Sequence, residues 1–135
     1  MDTTIRLLVT MLCGVGLYAS VFMLRKAMRA ERGELSEPSV VQTPRAKLFG
    51  GIPNAAIGAL YYPALGVGIW IAAAPWSLGL LLVAALLAAG TSVALARSLL
   101  VVTRMPCVYC WTSHVVNWTL AFVLLATFLK LSYWQ

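Results

Sequence analysis

Charged side chains are scarce in this 135-residue chain, where Asp, Glu, Lys and Arg together make up 10% of the sequence. Soluble globular domains carry about 25% charged residues. Hydrophobic residues reach 61%, and the mean hydropathy is +0.88. This composition excludes an ordinary soluble domain and indicates a protein embedded in a membrane.

Metal-binding side chains are also few, because the chain has one histidine, His114, and three cysteines. A structural zinc site needs four ligands, usually from cysteine and histidine. Only two cysteines, Cys107 and Cys110, are close to His114 in the sequence, and Cys13 is far from all three. We therefore expect no metal centre.

Four apolar runs cover most of the sequence, at about residues 5–24, 52–74, 78–102 and 107–131. A helix needs about 20 apolar residues to cross the hydrocarbon core, and spans of this length favour helices over barrel strands. We expect an all-α membrane protein, with residues 1–135 forming a single four-helix bundle and a long loop at about residues 25–51. The basic residues Arg25, Lys26 and Arg29 follow the first run, which favours a retained span over a cleaved signal peptide.

The distribution of basic residues predicts the orientation of a multi-pass protein in the cell membrane. Of the ten Lys and Arg residues, Arg6 and Lys130 fall on one side of the predicted bundle. The other eight fall on the side of the long loop: Arg25, Lys26, Arg29, Arg32, Arg45, Lys47, Arg97 and Arg104. The positive-inside rule places this side in the cytoplasm, where basic residues contact anionic membrane lipid. The net charge of +6 is explained in this way, so we expect no nucleic-acid partner.

A C-x-x-C pair, Cys107 and Cys110, stands at the beginning of the fourth run, directly after Pro106. Residues three apart share one face of a helix, close enough for a disulfide after modest adjustment. Unpaired N–H groups and the helix dipole favour a thiolate in the first turn, and such cysteines have a depressed pKa. The pair is a candidate redox centre; a structural disulfide and two buried thiols are the alternatives.

Polar side chains near this pair are candidates for binding a ligand. His114 shares a helix face with Cys107 and Cys110, and polar groups within a membrane span are often functional. It can donate a hydrogen bond to a bound carbonyl or relay a proton, or it can hydrogen-bond to another helix. Asn54, near the start of the second span, is either a ligand donor or a helix cap. Trp111 is either a pocket wall or an aromatic residue at the membrane interface.

Two segments give the chain a family resemblance. Residues 44–58, PRAKLFGGIPNAAIG, resemble the beginning of the second helix in bacterial and archaeal homologues of vitamin K epoxide reductase. Residues 107–114, CVYCWTSH, resemble the active-site helix of the same family. The resemblance implies a four-helix bundle around a quinone, of the ubiquinone or menaquinone type, that makes disulfides and passes the electrons to that quinone.

The resemblance also implies roles for individual residues. Cys110 matches the cysteine that faces the quinone, and Cys107 matches the outer cysteine, which an incoming thiol attacks. Asn54 matches the family's quinone-binding asparagine, and His114 matches a position where the family has an aromatic residue or histidine at the quinone. Thr43 roughly matches a loop serine near the active site.

The long loop departs from the family because it contains no cysteine. Family members normally carry a second cysteine pair there, which shuttles electrons from the substrate to the C-x-x-C. Ser36 and Ser39 are the loop positions at which cysteines would have been replaced if the sequence is an engineered version of the active enzyme. Alternatively, a partner supplies its thiols directly to Cys107, or the chain is a non-catalytic subunit of a membrane complex.

The resulting hypothesis is a quinone-dependent thiol–disulfide oxidoreductase. A thioredoxin-like or other thiol protein would reduce the Cys107–Cys110 disulfide, and Cys110 would pass the electrons to quinone near Asn54, His114 and Trp111. Familiar members of the family work on the extracytoplasmic side, but the resemblance extends to inverted members in heat-loving archaea. The charge distribution favours the inverted, cytoplasmic orientation, with the extracytoplasmic one as the alternative.

A membrane-impermeant thiol reagent tests this orientation. If Cys107 faces the cytoplasm, we expect its reduced thiol to be labelled slowly in intact cells and promptly once the membrane is permeabilised. Prompt labelling of Cys107 from outside intact cells would contradict the predicted orientation.

Overall fold

The computed structural model describes residues 2–47 and 51–133 and contains four long helices. They are α1 (Thr3–Glu31), α2 (Asn54–Ile71), α3 (Pro75–Ser98) and α4 (Val108–Tyr133). All four are long and apolar enough to span a membrane. No strand occurs in these two ranges, so the prediction of an all-α membrane protein with four spans is confirmed.

The helix ends differ from the predicted spans where local sequence extends or tightens a helix. Helix α1 continues past the expected end at residue 24 to Glu31, because its last turns contain good helix formers such as Lys26, Ala27 and Met28. The loop is correspondingly shorter than predicted. Helix α3 continues as a π-helical segment, Leu99–Thr103, and the chain then turns at Arg104, whose φ of 47° is left-handed.

The loop between α1 and α2 folds back over one end of the bundle. It forms two short 3₁₀ turns, Val40–Gln42 and Pro44–Ala46, and the side chain of Val41 in the first turn is buried. The described loop resumes at Gly51, so residues 48–50 of the segment that resembles the vitamin K epoxide reductase family lie outside the described residues. Loop residues Val41 and Thr43 line a common cavity with Cys110, so the loop covers the end of the bundle at which α4 begins.

Helix packing is uneven across the bundle. Helices α1 and α2 pack closely, as do α3 and α4, and α1 also packs along α4. Helices α2 and α3 contact each other little, and Gly68 packs against Leu81 near the turn that joins them. The dense core lies towards that turn, where Val9, Ile69 and Leu124 are fully buried. The opposite half, beneath the loop, is left more open.

Close contact between α1 and α2 depends on a glycine. A Cβ atom built on Gly16 would overlap the ring of Tyr62, which is only 2% exposed. Gly14, two residues earlier on the same helix, has no atom within 4 Å of such a Cβ. Small residues permit this close approach of helices in membranes. Gly16 therefore determines where the Tyr62 side chain lies.

The two glycines form a matched pair for a stability test. Gly16→Ala should destabilise the protein by about 1–3 kcal/mol, because a buried ring must shift to make room. Gly14→Ala should be neutral or slightly stabilising, since alanine is the better helix former and its methyl group meets nothing. Thermal unfolding in detergent measures both. Equal melting temperatures for the two variants would contradict this account of the α1–α2 contact.

Candidate functional site

Cys107 and Cys110 are joined by a disulfide at the beginning of α4. Their Cα atoms lie 5.2 Å apart. The backbone N–H of Trp111 donates to the carbonyl of Cys107 at 3.1 Å, and the N–H of Cys110 lies 3.2 Å from the Cys107 sulfur. The disulfide thus closes the first turn of the helix, where unpaired N–H groups stabilise a thiolate after reduction.

Helix α1 holds this first turn in place from one side. The ring of Tyr109 stacks on Phe22 with centroids 3.9 Å apart and packs at an angle to Tyr18 at 6.4 Å. The sulfur of Met23 lies 4.0 Å from that of Cys107. Pro106 precedes the disulfide and disfavours helical geometry at Met105, which separates α4 from the preceding turn. The position of the disulfide is therefore determined by packing as well as by sequence spacing.

A cavity of about 400 Å³ lies beneath the loop and is lined by residues of all four helices. Most of its wall is apolar and comes from small or branched side chains. Four of the predicted site residues also line it: Thr43, Asn54, Cys110 and His114. The structure therefore brings the inner cysteine together with the two polar residues expected to bind a ligand.

Cys107 and Trp111 lie outside this cavity. Both line a shallow groove on the outer surface, together with Val15 of α1 and Val108 and Thr112 of α4. Trp111 was expected near the ligand, and the structure places it on this groove because each residue turns the helix by about 100°. The two cysteines of one disulfide therefore line two different surfaces.

Trp111 instead contacts His114. The two rings meet edge to face with centroids 6.0 Å apart, and the ring of Trp118 lies roughly parallel to the imidazole with centroids 6.2 Å apart. His114 is 5% exposed, and its Nδ1 atom is buried with no hydrogen-bond partner in the described parts of the chain. The alternative in which His114 bonds to another helix thus gains no support from the described residues. A buried polar atom without a partner is costly, and it suits a residue that binds a ligand.

Asn54 is the first residue of α2, and its side chain lines the cavity. The helix shows no side-chain capping hydrogen bond, and the capping position itself is occupied by Pro53. Asn54 therefore does not cap α2 in this structure. Its amide presents both a donor and an acceptor to whatever occupies the cavity.

The loop candidates have separate surroundings. Thr43 lines the cavity, but its hydroxyl donates to the carbonyl of Val40 at 2.7 Å. Ser39 is buried and forms a reciprocal capping pair with Gln42 at the first 3₁₀ turn. Ser36 is exposed. Neither serine lines the cavity or the outer groove, so these two are not brought together with Cys107.

Sequence reasoning missed a polar chain at the inner side of the cavity. The hydroxyl of Tyr62 donates to Asn117 Oδ1 at 2.9 Å, and Asn117 Nδ2 donates to the hydroxyl of Ser92 at 2.7 Å. The hydroxyl of Tyr61, next to Tyr62, is buried without a partner among the described residues. The sequence does show polar side chains within the predicted membrane spans, which is a sign of such a chain. Which of them pair depends on how each helix is turned about its own axis, and the sequence does not give that.

A reducible disulfide beside an apolar cavity, in a bundle of membrane-spanning helices, defines a class: membrane proteins that exchange electrons between thiols and disulfides. A model of the vitamin K epoxide reductase family matches residues 7–125, and the chain belongs to that family. None of the curated proteins compared with the chain matches it. Family membership independently supports an oxidoreductase of the thiol–disulfide type.

Proposed function

We propose that this protein is a quinone-dependent thiol–disulfide oxidoreductase, which oxidises the thiols of a partner protein. One observation carries the proposal: Cys107 borders the outer groove, whereas Cys110, bonded to it, borders the inner cavity. A protein thiol needs access from outside, and a lipid-soluble electron acceptor needs an apolar chamber. The two sulfurs meet these two requirements.

The first half of the reaction is thiol–disulfide exchange at Cys107. A thiolate of the reduced partner attacks the Cys107 sulfur, the bond to Cys110 breaks, and a mixed disulfide forms. Cys110 leaves as a thiolate at the start of α4, where the helix dipole stabilises its charge. The second partner thiol gives up its proton and attacks the partner's own sulfur in the mixed disulfide, which releases Cys107 as a thiolate. The partner is now oxidised, and the Cys107–Cys110 pair holds its two electrons.

The cavity fits a quinone in size, polarity and donors. Its wall is largely apolar, its volume of about 400 Å³ falls within the usual range for small-molecule sites, and Cys110 lies on its wall. The His114 ring has a buried nitrogen without a partner, and the Asn54 amide makes no capping bond. These two side chains would hold a carbonyl oxygen near the Cys110 sulfur. A bound quinone supplies the oxidising power, taking up two electrons and two protons as the disulfide reforms.

The weak contact between α2 and α3 offers a route from the lipid. Both helices line the cavity, and Ile57 of α2 and Leu87 of α3 lie on its wall with 40% and 69% of their surfaces exposed. Exposed apolar residues on a membrane helix face lipid tails. A quinone of the ubiquinone or menaquinone type would enter there without crossing water.

The cysteine-free loop determines how the partner must act. Since no loop cysteine can relay electrons, a thioredoxin-like or other thiol protein would form its mixed disulfide directly with Cys107, which is only partly buried. The same absence favours a second candidate, a non-catalytic subunit that keeps the family fold. For either function we propose that the loop side of the bundle faces the cytoplasm, because the basic residues are concentrated there.

Quinone reduction by a dithiol separates the two candidates. The purified protein in detergent, supplied with reduced thioredoxin and a short-chain quinone, should form quinol well above the rate without protein. Cys107→Ala and Cys110→Ala should each return this rate to the background, because either change removes the disulfide. Cys13→Ala, which removes the buried free cysteine, should leave the rate within about twofold.

Two results would count against the proposal. Unchanged quinol formation in Cys110→Ala would show that this disulfide takes no part in the reaction. A wild-type rate equal to the background, with intact folding, would favour the non-catalytic subunit.

A further inference from the structure

A positively charged side chain lies on the wall of the inner cavity. Arg45, from the second 3₁₀ turn of the loop, lines the cavity, and no Asp, Glu or Lys of the described residues lines it with Arg45. Its Nη1 atom donates to the hydroxyl of Ser98 at 3.4 Å. Arg45 forms no ion pair with a carboxylate in the described parts of the chain. The guanidinium charge is therefore available to an anion that forms in the cavity.

Two hydrogen bonds between α3 and α4 fix how these helices lie beside each other. Asn117 Nδ2 donates to Ser92 Oγ at 2.7 Å, and Trp118 Nε1 donates to the carbonyl of Ala89 at 3.3 Å. Residue numbers rise along α4 where they fall along α3, so the two helices are antiparallel. A step back along α4 from Asn117 and a step forward along α3 from Ser92 therefore both lead towards the loop.

This register brings Cys110 and the anchor of Arg45 to the same level. Cys110 precedes Asn117 by about 10.5 Å along α4, and Ser98 follows Ser92 by about 9 Å along α3, at 1.5 Å per residue. The two helices pack closely, and the axes of packed helices lie about 8–10 Å apart. The guanidinium held at Ser98 thus lies about one helix spacing from Cys110, on the wall of the same cavity. A charge acts more strongly across an apolar cavity than across water.

We propose that Arg45 stabilises, through its positive charge, the thiolate that Cys110 becomes when the disulfide opens. In exchange with a partner thiolate, a new bond forms to the Cys107 sulfur, the Cys107–Cys110 bond breaks, and its electron pair leaves with Cys110. Cys110 is then an anion on the cavity wall that Arg45 also lines. This inference rests on the proposed function, because that thiolate is the species that would react with the electron acceptor.

The other ionisable groups around Cys110 do not supply this fixed charge. Those on the cavity wall are Tyr61 and Tyr62 of α2 and His114 of α4, and the described residues of α1 and α3 contribute none. Tyrosine hydroxyls are uncharged near neutral pH. Outside the cavity, Tyr109 of α4 packs against Tyr18 of α1, and Arg104 precedes the helix as an exposed residue. All of these groups stay constant when Arg45 alone is changed.

Alkylation by iodoacetamide, which requires a thiolate, tests the proposal in the full-length protein in detergent, without any quinone. With Cys13→Ala and Cys107→Ala, Cys110 is the remaining thiol. Adding Arg45→Gln should slow its alkylation at pH 7 about three- to tenfold, because the anion loses a nearby opposite charge. Arg45→Lys, which keeps the charge, should recover most of the rate. Above about pH 10 the thiol is ionised in every variant, and the rates should converge.

Lys47 gives the matched control for loss of one positive charge from the loop. It is exposed, pairs with Glu31 at 3.6 Å and does not line the cavity. Lys47→Gln should change the alkylation rate less than about twofold, since solvent screens an exposed charge. A second single-thiol protein, with Cys13→Ala and Cys110→Ala, keeps Cys107 on the outer groove. There Arg45→Gln should also have less than about a twofold effect.

A second variant covers the case in which Arg45→Gln folds poorly, which thermal unfolding in detergent would reveal. Ser98→Ala keeps the charge and removes the hydroxyl that holds the guanidinium, so it should slow Cys110 alkylation at pH 7 in the same direction. An unchanged rate in whichever of the two variants folds would overturn the proposal.

Two further results would contradict the role of Arg45. Equal slowing by Lys47→Gln, or equal slowing at Cys107, would show that the effect is not specific to the cavity. Slowing that persists above about pH 10 would mean that access to the sulfur had changed, and not the charge beside it. Each of these results leaves the proposed function standing. A wild-type protein that forms no quinol would instead refute that function, whatever the alkylation rates are.

Discussion

The disulfide at the start of α4 is the constraint on which the rest of the site depends. Cys107 lines the outer groove and Cys110 lines the cavity, so the bond between them joins the two surfaces. The same helix start supplies unpaired N–H groups that favour a thiolate at the inner sulfur. Stacking of Tyr109 on Phe22 then holds this turn against α1. The position and the reactivity of this disulfide thus depend on geometry, charge and packing together.

The bundle supports this site by dividing its packing between two halves. Near the α2–α3 turn the core is dense, with Val9, Ile69 and Leu124 fully buried. Beneath the loop, α2 and α3 separate, and Tyr62 reaches across to α4 instead of filling the space with apolar contacts. Close approach at Gly16 makes this possible, because any larger residue there would displace the Tyr62 ring. A cavity can therefore exist in a small bundle that is well packed elsewhere.

Much of the fold could be predicted from the sequence, and less of the site. Long apolar runs and the C-x-x-C spacing depend on local sequence, so four spans and a Cys107–Cys110 disulfide were within reach. The position of Trp111 on the outer groove could not be predicted, because the direction of a side chain depends on how α4 is rotated within the bundle. The pairing of Tyr62 with Ser92 through Asn117 joins three helices, and no local pattern encodes that contact. Helix existence is a local property, whereas helix rotation is a property of the whole bundle.

A single-turnover experiment tests the central claim, that the Cys107–Cys110 pair gives its electrons directly to quinone. The protein is first reduced, freed of reductant and mixed with quinone in the absence of oxygen and of any partner. The account predicts about one quinol per chain, formed at the same rate at which two thiols disappear and the disulfide returns. Quinol formed without thiol loss, or thiols that persist in the presence of excess quinone, would contradict it.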